Sequence, residues 1–425
     1  MGFNPEQFKS IFKQIYADDQ QSLSYLTERY STLQRKYTET FGDEAVEWFS
    51  TPGRTELSGN HTDHNHGRVL AASIDLDSVA LAAANDKNKV VTHSDGFDQP
   101  FIVDLGDLKM RAAEQGTTTA LIRGIAAGLV DSGYAIGGFN ARITSDVLQG
   151  SGLSSSASIE VLIGTIFNRL YNQNRIEPVE IAKIGQYAEN IYFGKPCGLM
   201  DQIACATGGV VAIDFKNPLE PQVEKVSIDF KSLNYALLVV DTGGSHADLT
   251  PDYAAIPAEM KQVAAALGKE YCREIKSEEF LSKVAELRGK ISDRAILRTL
   301  HFLQENKRVS AQVSALLNGD FKRFLKLVRE SGESSFKWLQ NIFSPANIDE
   351  QGVTLALALS EKYINEHSAG ACRVHGGGFA GTILVFLAHE LVDGYKKMIE
   401  PIFGKDSIVQ LKIRDIGTIN LNRLL

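Results

Sequence analysis

The chain has 425 residues, 44% of them apolar and 23% charged, and a formal net charge of −8. This balance supports a large folded core and excludes a disordered chain, while the negative field disfavours unspecific binding to nucleic acid or anionic lipid. The longest apolar runs, such as GTILVFLAH, fall short of the roughly 20 residues needed to cross a bilayer, so neither nucleic acid nor membrane is an expected partner.

The segment MGFNPEQFKSIFKQIYADD is charged and amphipathic, without the apolar stretch of a signal peptide, and the rest of residues 1 to 45 also reads as helix. WFSTPGRTELSGNHTDHNHGRVLAASID then breaks into glycine and polar residues, which predicts a site-forming loop between regular elements. Strands are predicted in VALAAANDKNKVVTHS, PFIVDLGDL and FNARITSDV, with a helix in TTTALIRGIAAGLVDSG between the last two. GSGLSSSASIE feeds directly into the helix VLIGTIFNRLY, and a second helix, PVEIAKIGQYAENIYFG, precedes the turn KPCGLMDQ and the strand GGVVAIDF. The second half opens on the strand YALLVVDTG and runs through helices from about 252 to 340. After the helix EKYINEHSAG it returns to strands in GACRVHGGGFAGTILVFL and VQLKIRDIG. An α+β chain of two domains, 1–215 and 216–425, is therefore expected. Cys197, Cys205, Cys272 and Cys372 are too scattered for a secreted disulfide framework, which points to a reducing, cytoplasmic setting.

Three clusters carry chemistry. Glycines followed by serines at a helix start, from Gly150 to Ser158, suit either an anion-binding loop or an ordinary helix cap. His375-Gly376-Gly377-Gly378 lowers side-chain bulk where a substrate or another loop must come close. Asn60, His61, Thr62, Asp63, His64, Asn65 and His66 offer hydrogen bonds to hydroxyls, or the ligands of a divalent metal, or a polar surface turn.

PGRTELSGNHTDHNHG, QGSGLSSSASIE and ACRVHGGGFAGT occur in one order along the chain, and in that order they resemble the galactokinase branch of the GHMP small-molecule kinases. The resemblance covers nearly the whole length and extends to CGLMDQ and to RTLHFLQEN, which is similar to the family's RALHFVEEN. It implies a two-domain GHMP kinase fold with the active site in the interdomain cleft. It further implies ATP around Gly150, Gly152, Leu153, Ser154, Ser155, Ser156 and Ala157, and magnesium at Ser156 and Glu189, with Ser155 as the substitute for Ser156. Arg54 and Asp201 would be the catalytic pair, and Arg54, Asn60, His61, Asp63, Gly198, Asp201 and Tyr253 the sugar contacts.

The implied activity is an ATP-dependent sugar 1-kinase acting as a monomer, with galactose first. N-acetylgalactosamine or L-arabinose are the alternative substrates, and a noncatalytic sugar and ATP sensor is the alternative class. The family segment GRVNLIGEHTDYNxG contacts the sugar through its glutamate, histidine and second acidic residue. Here Asn60 replaces that glutamate and His64 the tyrosine; Tyr253 follows His246 at the family interval, but Ala254-Ala255-Ile256 stand just beyond it where the family places arginines. An asparagine offers weaker, uncharged hydrogen bonds, which can shift sugar preference without abolishing transfer.

Overall fold

The apolar and β-branched residues between 47 and 145 pair into one sheet. In the computed structural model, which describes residues 3–16, 20–148, 150, 152–244 and 249–424, this sheet contains β1 (Glu47–Ser58), β2 (Arg68–Ala84), β3 (Lys89–Ser94), β4 (Phe101–Asp104) and β5 (Phe139–Ser145). The hairpin of β6 (Val210–Asp214) and β7 (Gln222–Val226) adds to it through β2. A second sheet has the order β11-β8-β10-β9, from β8 (Tyr235–Asp241), β9 (Ala371–Val374), β10 (Thr382–Ala388) and β11 (Ile408–Leu411), all antiparallel. The tail then returns to the first sheet, where β12 (Ile419–Asn420) pairs with β1 in the register Phe49 to Asn420.

The loop expected between 48 and 67 is a correction: it is mostly strand. β1 is buried along nearly its whole length, and Pro52-Gly53, which read as a turn, sit at an irregularity of the β1–β2 register between Pro52 and Arg54. A bulge tolerates proline, which cannot donate to the ladder, and re-aims the residue that follows. A second irregularity lies between Glu56 and Ser58, so the turn proper is confined to residues 59–67.

Helices cover both faces of the first sheet. On one face, α3 (Thr118–Asp131), α4 (Ser155–Asn172), α5 (Pro178–Tyr187) and α6 (Met200–Thr207) bury Ile122, Val161, Ile166 and Ile203 against Phe139, Ile143 and Val211. On the other, α1 (Pro5–Ile15) and α2 (Gln20–Phe41) close an aromatic cluster in which Phe8, Phe12 and Tyr30 pack on Trp48 and on one another. Asp77, fully buried on β2, pairs with Arg29 of α2 at 2.7 Å and with Arg414 of the tail at 3.0 Å. The three charges tie the first helices, the sheet and the returning tail together.

The second sheet is covered on one face by α11 (Gly352–His367) and α12 (Val392–Phe403), through Val353, Ile364 and Tyr395. α7 (Thr250–Ala266) and α8 (Ser277–Arg288) flank α9 (Asp293–Leu317), and α10 (Phe321–Ser334) packs on β9. One apolar cluster holds the two sheets together. Leu57, Leu70 and Leu153 from the first half meet Leu237, Leu384, Val309 and Phe324 from the second. Both β1 and the glycine loop after β9 are fixed by this shared core, and the polar groups described next gather beside it.

Candidate active site

The bulge at Pro52-Gly53 delivers Arg54 across the cleft floor. Its Nε and Nη2 donate to Asp201 Oδ1 and Oδ2 at 2.8 and 2.6 Å, its Nη1 donates to the Gly152 carbonyl, and Ser154 Oγ donates to Asp201 Oδ2 at 2.5 Å. A planar guanidinium matches both oxygens of a carboxylate, so the pair has fixed geometry as well as charge. The Arg54 side chain is 6% exposed and that of Asp201 29%, so only the carboxylate faces open space. Burial would raise the Asp201 pKa, but Arg54 and the Ser154 hydroxyl outweigh it and hold the carboxyl below its ordinary range. Asp201 is therefore an ionised acceptor, suited to orienting a hydroxyl.

Ser154 does not act as an ordinary helix cap. It occupies the N-cap position of α4 in left-handed backbone, φ 59°, yet its side chain caps nothing and is committed to Asp201. Gly150 and Gly152 also have positive φ, 73° and 71°, and the loop leads straight into the uncapped first turn of an 18-residue helix. Unpaired N–H groups at such a helix start favour a phosphate. Ser155 and Ser156, both partly exposed, flank that position, and Leu153 and Ala157 are buried beneath it.

From Ser156 the polar contacts continue inward. Ser156 Oγ donates to Glu189 Oε1 at 3.1 Å, and Lys195 Nζ lies 3.2 Å from the same oxygen. Glu189 sits in a widened π-helical turn, residues Ala188–Phe193, that follows α5, an irregularity frequent at functional sites. Gln202 Nε2 bridges Glu189 Oε2 at 3.0 Å and Glu160 Oε2 at 2.9 Å. Burial, and then the Glu189 charge, push the Glu160 pKa well above its ordinary value. The hydroxyl of Ser156 and the carboxylate of Glu189 are hard oxygen donors, the set that a nucleotide-bound divalent cation takes.

The turn at 59–67 forms the opposite wall. Asp63 packs against Gly198, where an added Cβ would lie 1.6 Å from Asp63 Oδ2, so position 198 admits only glycine in this arrangement. His61, at φ 55°, places Nε2 2.8 Å from the Gly377 carbonyl, and the Tyr253 ring fills the space a Gly377 side chain would occupy. Burial lowers the His61 pKa to about 4, so the ring is neutral near pH 7. The bulk spared at 376–378 thus seats Tyr253 and Asn341. The three histidines diverge: His66 stacks on Tyr271 at 3.7 Å and His64 lies partly exposed beside Asp63. Among the described residues no cluster of three or more His, Cys, Asp or Glu side chains could hold a metal.

Asn60 is fully buried, and its amide is spent inside the protein on Glu56, Gly376 and Asn341. Arg54 thus pairs with Asp201, Asp63 lies against Gly198, and His61 and Tyr253 meet at Gly377, while Asn60 is turned toward buried protein groups; Ser151 and His246 fall outside the described residues.

Several members of the site escape sequence reasoning. RTLHFLQEN lies on α9 and grips the turn: His301 Nε2 meets the Asn60 carbonyl at 3.0 Å, Glu305 accepts from Ser58 Oγ and Gly59 N, and Asn306 accepts from Arg68 N. The polar residues at 301, 305 and 306 stand among many others on α9, so no signal in the sequence separates them. His375 bridges Thr55 and Thr382, both at 3.0 Å, and so joins β1 to β10. Gln202 and Glu160 carry no local signal at all.

The profile described as GHMP kinases N terminal domain matches residues 120–209, and the galactokinase galactose-binding signature matches residues 35–84. The galactokinase of Clostridium tetani is 28% identical over 381 residues, covering 88% of this chain and 92% of that protein; the galactokinase of Streptomyces coelicolor is 29% identical over 377 residues, covering 88% and 92%. The crystal structure of Lactococcus lactis galactokinase complexed with galactose superposes with a TM-score of 0.80 at 26% identity, covering 92% of this chain and 99% of that one. The mevalonate kinase of Methanococcus jannaschii, at 17% identity and a TM-score of 0.62, shares the fold.

Proposed function

We propose that this chain, which belongs to the GHMP kinases and carries the galactokinase galactose-binding signature, transfers the γ-phosphoryl group of ATP to the anomeric hydroxyl of galactose. The observation that carries this reading is the Arg54–Asp201–Ser154 group at the edge of an uncapped helix N-terminus, a hydroxyl-orienting carboxylate beside an anion site.

In the reaction the sugar O1 forms a bond to the γ-phosphorus as the bond to the β,γ-bridging oxygen breaks, giving galactose 1-phosphate and ADP. The hydroxyl proton leaves through Asp201 or directly to solvent. Asp201, kept ionised by Arg54, accepts the O1–H hydrogen bond and fixes the line of attack, which is most of what a loose phosphoryl transfer asks of a protein. Arg54 acts through Asp201, whose charge and orientation it fixes, and the first-turn amides of α4 would hold phosphate oxygens. Ser156 and Glu189 would hold magnesium, which supplies charge neutralisation on the phosphate oxygens when bound. His61, Asp63, Gly198 and Tyr253 would enclose the sugar.

No helix among the described residues is long and apolar enough to cross a membrane. A cytoplasmic monomer is the setting we assign, on scattered thiols and the lack of a heptad pattern.

The test is an ATP-dependent phosphorylation assay on a panel of free sugars, with the product read by phosphorus NMR. Galactose 1-phosphate at the highest kcat/KM supports the reading. A higher kcat/KM for N-acetylgalactosamine or L-arabinose moves the substrate, and sugar binding with no phosphorylated product replaces the enzyme by a sensor.

A further inference from the structure

Beneath the wall formed by the 59–67 turn lies a buried ion pair that phosphoryl transfer does not use. Arg373 on β9 donates to Glu56 on β1 at 2.7 Å, with side chains 0% and 4% exposed. Glu56 also accepts from Asn60 Nδ2, at 3.1 and 3.3 Å. The same Nδ2 donates to the Gly376 carbonyl at 2.6 Å, and Asn60 Oδ1 accepts from Asn341 Nδ2 at 2.7 Å and Ser335 Oγ at 3.4 Å. Asn60 has thus spent both ends of its amide on protein. It reaches the cleft only through what it holds: Asn341 Nδ2 also donates to the Gly377 carbonyl at 3.0 Å, the carbonyl that His61 meets, and the Tyr253 ring lies against Gly377.

The charges at the two positions are exchanged relative to the family segment GRVNLIGEHTDYNxG, whose asparagine and glutamate align with Glu56 and Asn60 here. The geometry makes the exchange a single coupled event. A carboxylate added at 60 would face Glu56 across a hydrogen-bond distance and would turn an acceptor toward the Gly376 carbonyl, leaving two like charges buried together. An asparagine at 56 would leave Arg373 without its counter-ion, and two of its N–H groups, Nε and Nη1, already lack a partner among the described residues. Either change alone strands a buried charge; both together move one carboxylate from position 56 to position 60.

We propose that Glu56 is a specificity-determining positioning residue. With Arg373 and Asn60 it locks the recognition turn to the glycine loop at 376–378, and the sugar is read by His61, Asp63 and Tyr253 with no carboxylate at position 60. The ligand class that follows is wider than galactose itself: galactose-configured sugars in which one hydroxyl is absent or substituted are accepted as well. A site that does not hydrogen-bond a given hydroxyl has no buried group to strand when that hydroxyl is missing. The proposal rests on the sugar-kinase reading above.

The experiment measures sugar affinity by calorimetry and kcat and KM by coupled assay, for galactose and its monodeoxy analogues. The proteins are wild type, E56Q, N60E and the exchange variant E56N/N60E. E56Q keeps the shape and removes the charge; it should raise the sugar KM about 10-fold while leaving the ATP KM within about 2-fold, a split that general destabilisation does not produce. N60E should lose more, and E56N/N60E should recover most of that loss, as residues in one network couple. The exchange variant should also reject one monodeoxy sugar by about 10-fold or more in kcat/KM that wild type accepts. An unchanged sugar KM in E56Q, or a monodeoxy profile in the exchange variant that overlays wild type, overturns the proposal. Absence of phosphorylated product from wild type sinks the kinase reading instead, and calorimetric sugar affinity still decides the role of Glu56.

Discussion

Replacing Asp201 with asparagine tests the centre of the site at constant shape. The substitution removes the charge that accepts two hydrogen bonds from Arg54, at 2.8 and 2.6 Å, and one from Ser154 at 2.5 Å. Breaking a buried ion pair costs about 3–5 kcal/mol. Here the cost is nearer 1–3 kcal/mol, because the Asp201 side chain is 29% exposed and the amide still offers Arg54 one acceptor; this corresponds to a fall in Tm of about 1–3 °C. The loss in kcat should be far larger, about 10²–10⁴-fold, the worth of a positioned group that orients and receives a proton. The assay is ADP release at saturating ATP and sugar, with Tm measured on the same samples. The pH dependence follows from the depressed pKa of Asp201. Its contribution to stability is complete above the unfolded carboxylate value near ~4 and is lost as pH falls through the lower folded value. Wild-type kcat should accordingly show no limb from Asp201 between about pH 5 and 8. A D201N variant that keeps more than about a tenth of wild-type kcat would refute the role given to this carboxylate.

Glu189→Gln removes a hard anionic donor while keeping the Ser156 hydrogen bond; the magnesium concentration for half-maximal rate should rise about 10-fold or more, read by a metal titration at fixed ATP. Gly198→Ala sets a Cβ 1.6 Å from Asp63 Oδ2, so Asp63 must move. The sugar KM should rise about 10-fold, with the ATP KM unchanged. Glu305→Gln weakens the hold on Ser58, Gly59 and Arg308 and should cost about 2–4 kcal/mol by denaturant unfolding. Burial would raise the Glu305 pKa, but Arg308 leads the groups that bring it down to about 2. The wild-type advantage should therefore be full above the unfolded value near ~4.3 and disappear as pH falls toward 2.

The order of elements was legible because apolar periodicity survives in the helices and in strands such as β8 and β10, where almost every residue is buried. β1 was hidden because its Thr-Pro-Gly reads as a turn, and only pairing with β2 shows it to be a bulge. At the site, family resemblance brought Arg54 together with Asp201, which stand 147 positions apart; no spacing rule could have done so. Glu56 and Arg373 lie 317 positions apart and were missed, although the motif comparison displayed both halves of the Asn60 exchange. Asn60 alone looked like a weakened sugar contact. What gives it another meaning is burial, a property of the fold and not of the residue type.

The return of β12 to β1 bears on the order in which the molecule is made. Phe49 finds its partner in Asn420, and the Trp48 amide donates to Asn422, 374 positions later. During synthesis the first sheet emerges early yet keeps an open edge at β1, and the buried Asp77 keeps only one of its two arginines, until residues 414–422 clear the ribosome. Contacts of such long range are slow to close, and an unpaired edge in the meantime invites pairing with another chain. Nascent chains halted before residue 414 should therefore be captured by chaperones, and release of residues 414–422, not completion of the second sheet, should mark the step at which the first sheet becomes resistant to protease.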